Sequence, residues 1–257
     1  MDDIKNNELA QATEILHIIE DIIAENNGDF SSIINQNLTL KDKLYSKGST
    51  LFLGYFNPCP VEDLIVGKTK RGKITSNKTS SKYTVTYYFE KNIIKMAEDF
   101  SSYYLFFYTD VQQVYILGVP KDMKIDPHTS LEFMISKYDE NDRICKLTFF
   151  RAMKRIKTFS LFAFMDSDRL FIKDKKQNEY SFYIIEKEYF YSENFITKVQ
   201  IGTYTSYKTK RHIQKYEFKY RGDSYYSYLA FTTEYKVLHK RKFNEFIKKP
   251  NYSDYQK

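Results

Sequence analysis

Tryptophan is absent from this 257-residue chain, and cysteine (2), proline (5) and glycine (8) are scarce. So few glycines and prolines argue against a disordered chain and against a glycine-rich nucleotide-binding fold. Two cysteines, Cys59 and Cys145, supply neither a disulfide framework nor the four ligands of a tetrahedral zinc site, and a reducing cytoplasm is the expected home. No window approaches the roughly 18 apolar residues of a transmembrane helix, and the polar, acidic residues 1–8 lack the basic start and apolar run of a signal peptide. The expectation is a soluble, cytoplasmic protein with no membrane span.

What the chain has instead is aromatic: 24 Tyr and 21 Phe, 18% of all residues. Tyrosine suits a strand, apolar along its body and wet at its tip. The formal charge is +7, from 40 Lys and Arg against 33 Asp and Glu. That excess is compatible with nucleic acid, an anionic membrane or an acidic protein surface, and equally with lysines that keep the edges of a large sheet from pairing with other sheets.

The stretch 131–150, LEFMISKYDENDRICKLTFF, reads as a complete β-hairpin. Leu131, Phe133 and Ile135 alternate with Glu132, Met134 and Ser136, and Cys145, Leu147 and Phe149 resume the alternation after the polar turn. One apolar face is expected, with Asn141 as the turn residue that tolerates positive φ.

In chain order, residues 7–26 place Ala12, Ile15, Leu16, Ile19, Ile22 and Ile23 on one helical face, with Asn27-Gly28 as the stop. A short helix is expected near 38–45, a buried strand at TLFLGYF (50–56) and another short helix at PVEDLIVG (60–67). Residues 67–82 carry Lys68, Lys70, Arg71, Lys73, Lys78 and Lys82 without an acid, a concentrated positive charge suited to a partner or a polyanion. Gly67-Lys68-Thr69 is not a phosphate-cradling loop, since Glu62 stands where that motif demands glycine. From Tyr83 to Phe231, six hairpin-like units follow one another. Their turns YDENDRI and FMDSDRL, with Asn194, set positions 142, 168 and 194 at equal steps of 26 residues, a degenerate repeat. KRKFNEFIKK (240–249) is expected to form a basic helix before Pro250.

The expected fold is α+β and β-dominated: an N-terminal helix followed by a long meandering antiparallel sheet of successive hairpins. Three parts make one domain: 1–82, helical segment and basic loop; 83–239, hairpin repeats; 240–257, basic C-terminal helix and tail.

Catalytic chemistry is not visible. His17, His128, His212 and His239 stand at no metal-ligand spacing, and the chain has no G-x-S-x-G, H-E-x-x-H or C-x-x-C. Asp166 and Asp168 read as turn formers rather than as a cation site. No catalytic residue, metal or cofactor is expected, although an enzyme site assembled from distant strands leaves no such motif.

The turns resemble the tyrosine-aspartate repeats of large bacterial toxin shells, and the whole plan, rich in Lys, Asn, Ile and Tyr, resembles immunity proteins that accompany polymorphic toxins in low-GC Gram-positive bacteria. The likeness covers roughly 83–231. It departs from the shell repeats in lacking glycine at Asn141-Asp142, and 257 residues are too few for a shell. The resemblance implies a stoichiometric inhibitor that occludes the active site of a cognate toxin with an acidic surface. The residues themselves support a binding protein. Lys68, Lys70, Arg71 and Lys73 would steer a partner, and tyrosines among Tyr87, Tyr104, Tyr183, Tyr189, Tyr191, Tyr204, Tyr207 and Tyr225 would anchor it from an exposed sheet face. The second reading is a nucleic-acid binder using stacked tyrosines and the lysines of 68–82 and 208–211.

Overall fold

Apolar residues at helical spacing become α1 (Asp2–Glu25), which starts earlier than the expected Asn7. Ala12, Ile15, Leu16, Ile19 and Ile22 are buried along one side, as a 3.6-residue period demands. The computed structural model describes residues 2–26, 29–48, 50–56, 58–59, 73–78, 84–109, 112–121, 130–154, 170–193, 195–206, 212–221, 224–230 and 233–236. The expected helices at 60–67 and 240–249 lie outside these residues, as do positions 168 and 194 of the repeat.

Two expectations near the N-terminus are corrected. The helix expected at 38–45 is instead the end of α2 (Ser31–Leu38), a turn, and the strand β1 (Asp42–Lys47). Leu44 and Ser46 point inward, and every residue of β1 pairs with β3 (Thr84–Glu90), so a long-range ladder outweighs local helical preference. TLFLGYF is not a strand but a 3₁₀ turn, Leu51–Leu53, followed by a loop. Leu51 and Phe56 are buried and Phe52 and Tyr55 half-buried, while backbone donors of the stretch find side-chain acceptors. Leu51 N–H donates to Asp99 Oδ2 (3.1 Å), Tyr55 N–H to Ser46 Oγ (3.1 Å) and Phe56 N–H to the Tyr87 hydroxyl (3.3 Å). Satisfied this way, the segment needs no ladder.

Gly54 is required by space. A Cβ there would stand 2.1 Å from the Tyr87 hydroxyl, and Tyr87 is wholly buried. Gly54→Ala should therefore cost about 1 to 3 kcal/mol through displacement of that ring, read as a lowered denaturant midpoint with an unchanged slope.

The remaining strands are β2 (Ile74–Thr75), β4 (Ile93–Glu98), β5 (Ser102–Tyr108), β6 (Gln113–Pro120), β7 (Ser130–Tyr138), β8 (Ile144–Lys154), β9 (Ile172–Lys173), β10 (Glu179–Ser192), β11 (Phe195–Thr205), β12 (His212–Arg221), β13 (Ser224–Ala230) and β14 (Thr233–Lys236). With β1 and β3 they form, among the described residues, one 14-stranded sheet in the order β14-β13-β12-β11-β10-β8-β7-β6-β5-β4-β3-β1-β2, with β9 beside β10. From β3 to β8 and from β10 to β14, each strand pairs antiparallel with its successor, the meander of hairpins that the alternation implies. The sheet begins before residue 83, because β1 belongs to it.

Turns use the residues their geometry needs. Lys91 and Asn92 both have positive φ (48° and 66°), a tight two-residue connection whose twist suits a hairpin. Between β7 and β8 the positive φ falls on Asp142 (56°), not on the expected Asn141. Asp139 decides this: its carboxylate accepts the N–H groups of Asn141 and Arg143, both at 2.9 Å, and the Arg143 side chain at 2.9 Å. These bonds outweigh the cost of burying it and hold the Asp139 carboxyl below the usual aspartate range.

The sheet has two covered faces, which corrects the expectation of one apolar face on the 131–150 hairpin. On the helix face, α1 and α2 pack over Tyr88, Met96, Leu105, Leu117, Phe133 and Phe150. On the opposite face, Leu51, Phe52, Phe56 and Cys59 pack over Tyr87, Phe89, Tyr104, Met134 and Leu147. There the Phe56 ring meets Tyr87 edge-on at 4.8 Å, and Phe52 meets Phe149 at 6.1 Å. Phe133 and Leu147 are both buried, on opposite faces.

Candidate functional site

Strand β10 runs through the middle of the sheet with successive side chains on opposite faces. Glu186 and Lys187, adjacent in sequence, therefore carry their charges into two different interiors. Both are buried.

On the face covered by 51–59, Lys187 stands between Leu147 of β8 and Ile201 of β11. Together with Phe52, Cys59, Met134, Leu147, Phe149 and Ile185 it lines a pocket of about 230 Å³. Among the described residues, the pocket wall is apolar apart from the Lys187 ammonium and the Cys59 thiol. Lys187 Nζ donates to Cys59 Sγ at 3.6 Å, and the Tyr189 hydroxyl donates to the same sulfur at 3.2 Å. Residues 128 and 130 positions away in sequence thus converge on one cysteine.

On the helix face, Glu186 receives the Lys146 ammonium at 2.5 Å, the Gln11 amide at 2.7 Å and the Tyr204 hydroxyl at 3.1 Å. Burial pushes the Glu186 carboxyl up, but the bonds from Lys146 and Gln11, the Lys146 charge and the Tyr204 hydroxyl together hold it below the ordinary glutamate range. Gln11 belongs to α1, so this carboxylate ties the helix to the centre of the sheet.

The tyrosines expected as exposed anchors are mostly interior. Tyr87, Tyr104, Tyr189 and Tyr204 are buried, the last two with hydroxyls committed to Cys59 and Glu186. Tyr191 is half-buried; its hydroxyl donates to the Ile144 carbonyl at 2.6 Å and the Arg143 guanidinium lies 4.5 Å from its ring centre. The physical reason is that a second covered face needs large side chains whose polar tips can be satisfied internally, and tyrosine meets both demands. Tyr183 is half-buried. Lys73 is exposed, whereas Lys68, Lys70, Arg71 and Tyr207 lie outside the described residues, as does the Tyr225 side chain.

Beyond Glu186 on the helix face, the cover that the described residues provide ends. Here β10, β11 and β12 present Glu188 and Phe190, then Lys198 and Gln200, then Ile213, Lys215 and Glu217, all on one side by register. Phe190 is 41% exposed and Ile213 44%, and Lys198 Nζ sits 4.8 Å over the Phe190 ring. The result is a ribbon of apolar and charged groups on three long paired strands. Sequence reading missed it because Phe190 and Ile213 look like core residues in an alternating pattern; their neighbours Lys198, Lys215 and Glu217 were the available signal.

No family model, curated protein or solved structure matches this chain. What can be said of its chemistry comes from these side chains alone. Among the described residues, no three His, Cys, Asp or Glu come together as a metal site, and no helix is long and apolar enough to cross a membrane. The Cys59 pocket holds a thiol beside a cation, Glu186 is a structural tie, and the ribbon exposes Phe190 and Ile213 among charged groups of both signs.

Proposed function

We propose that this chain is a non-catalytic protein-binding protein, an immunity protein that neutralises a cognate bacterial toxin with an acidic surface by covering its active site. The observation that carries this reading is the open ribbon of β10–β12. Rigid paired strands there expose Phe190 and Ile213 among Lys198, Lys215, Gln200, Glu188 and Glu217, an arrangement of apolar anchors in a polar rim of both charges. The overall charge of +7 favours an acidic partner, and the resemblance of the turn repeats supplies the toxin setting. The basic residues Lys68, Lys70, Arg71 and Lys73 act in this reading by steering the encounter.

The partner is to be captured from the native cell and then expressed alone. It should arrest growth, and co-expression of this chain should restore it. Replacing Phe190 by Ala together with Ile213 by Ser should raise the dissociation rate about tenfold or more, as expected for central anchors. Replacing the four basic residues by Ser should slow association and flatten its salt dependence. A partner harmless on its own, or growth that this chain fails to restore, would contradict the proposal. So would a gel shift with RNA or DNA that persists at physiological salt, which would favour nucleic acid instead.

A further inference from the structure

On the sheet face opposite the ribbon, the pocket at Phe52 and Cys59 has a buried floor and a more exposed rim. Met134, Leu147 and Cys59 are 1%, 4% and 1% exposed, while Phe52, Phe149 and Ile185 are half-buried. Among the described residues, the way in lies between these last three side chains. The wall is built mostly on the sheet. Met134, Phe149 and Ile185 form one cross-strand row on β7, β8 and β10, and Leu147 and Lys187 form the next. Paired central strands hold these five side chains in place, as in binding pockets that exist before their ligand arrives.

Size and wall chemistry select the kind of molecule that fits. The volume is about 230 Å³. A cavity of about 150 Å³ takes one benzene molecule, so the room here suits about nine non-hydrogen atoms, the size of two fused rings. The Phe52 ring meets Phe149 at 6.1 Å and Tyr104 at 6.5 Å, both edge-on, so the rim is an edge-to-face aromatic array that a further ring extends. Met134 and Cys59 bring two sulfur atoms to the same wall, and sulfur at a ring edge is a favourable contact. Lys187 adds an ammonium, which attracts the face of an electron-rich ring and repels a second cation. The apolar remainder penalises a charged ligand for its lost hydration.

We propose that this pocket is a non-covalent binding site for a small, uncharged, electron-rich aromatic molecule of one or two rings. Such a ligand touches both the sheet and the residues that cover it, Phe52 and Cys59, and so stabilises their association by mass action. Phe190 and Ile213 lie on the other face of the sheet, so occupation of this pocket leaves the ribbon uncovered. Success or failure here is therefore independent of the partner proposed for the ribbon.

The test is to titrate the full-length protein, methyl-labelled at Met, Leu and Ile, with indole near neutral pH. The methyl resonances of Met134, Leu147 and Ile185 should shift and saturate with a dissociation constant below about 1 mM. Those of Leu117 and Ile184, on the helix face, should stay in place. Benzyl alcohol should act at the same methyls, and its charged counterparts of similar shape, benzylammonium and benzoate, should bind at least about tenfold more weakly. Ile185→Phe puts a ring into the pocket and should weaken indole binding by at least about tenfold. Should that variant fold poorly, the methyl map of the wild-type protein decides alone. Absence of saturation at the three methyls up to the solubility of indole overturns the proposal, as does saturation centred elsewhere. So does either ion binding as tightly as benzyl alcohol, or a folded Ile185→Phe that binds indole as the wild type does.

Discussion

Phe133→Ala will lower the folding stability of this protein by about 3 to 5 kcal/mol, and Leu147→Ala by about 2 to 5 kcal/mol, because each truncation removes a buried side chain and leaves its volume empty. Phe133 is 0% exposed and Leu147 4%. Phe133 pairs with Phe150 and Leu117 across the sheet, under α1, while Leu147 faces the opposite way, against the segment that holds Phe52 and Cys59. The two losses should therefore add in the double variant to within about 0.5 kcal/mol, since residues without shared packing partners behave independently. Had both side chains lain on one face, as the hairpin pattern alone suggested, the cavities would merge and the sum would fail. Denaturant midpoints of the two single variants and the double variant decide it. Unchanged midpoints would mean that neither site is packed as described, and strong non-additivity would mean that the two clusters are one.

The same pair of residues shows where sequence reading stops. Alternation in Leu131, Phe133 and Ile135 revealed a strand and its inward side, and the succession of such strands revealed the meander. It did not reveal that Met134 and Ser136 also face an interior. That depends on Leu51, Phe52 and Phe56, distant in sequence and within a stretch, 50–56, read as a strand, folding over the second face together with Cys59. An apolar run reports burial, not backbone conformation. Tyrosine misled for a related reason. Its phenol serves an exposed face or a buried one equally well, and here Tyr87 finds the Phe56 N–H inside the protein. The Cys59 pocket was illegible because its members meet only through the β8–β10–β11 register and the 51–59 fold. One local trace did exist. Glu186 and Lys187 interrupt EYSFYIIEKEYFYS, a run otherwise dominated by aromatic and aliphatic residues. In a central strand covered on both faces, adjacent charges have nowhere to go but into two cores.

That placement makes Glu186 a pH-sensitive tie between α1 and the sheet. Glu186→Ala should cost about 3 kcal/mol at neutral pH, since it removes a buried carboxylate from three donors and leaves the Tyr204 hydroxyl and the Gln11 amide without it. The Lys146 side chain, 29% exposed, can turn to water and limits the loss. Glu186→Gln isolates the charge. The carboxyl titrates lower in the folded protein than its ordinary value of 4.5. The unfolded chain therefore binds the proton first, and the contribution of the charge is fully present above about pH 5. It is lost as pH falls from there through the folded-state value. Wild type should thus exceed Glu186→Gln in stability at pH 7, and the gap should close progressively in acid, read as converging denaturant midpoints. Because Gln11 is the α1 partner, amide exchange in α1 should quicken in Glu186→Ala before the sheet is affected. A gap between wild type and Glu186→Gln that stays constant from pH 7 down to about pH 3 would show that shape, not charge, is what Glu186 contributes.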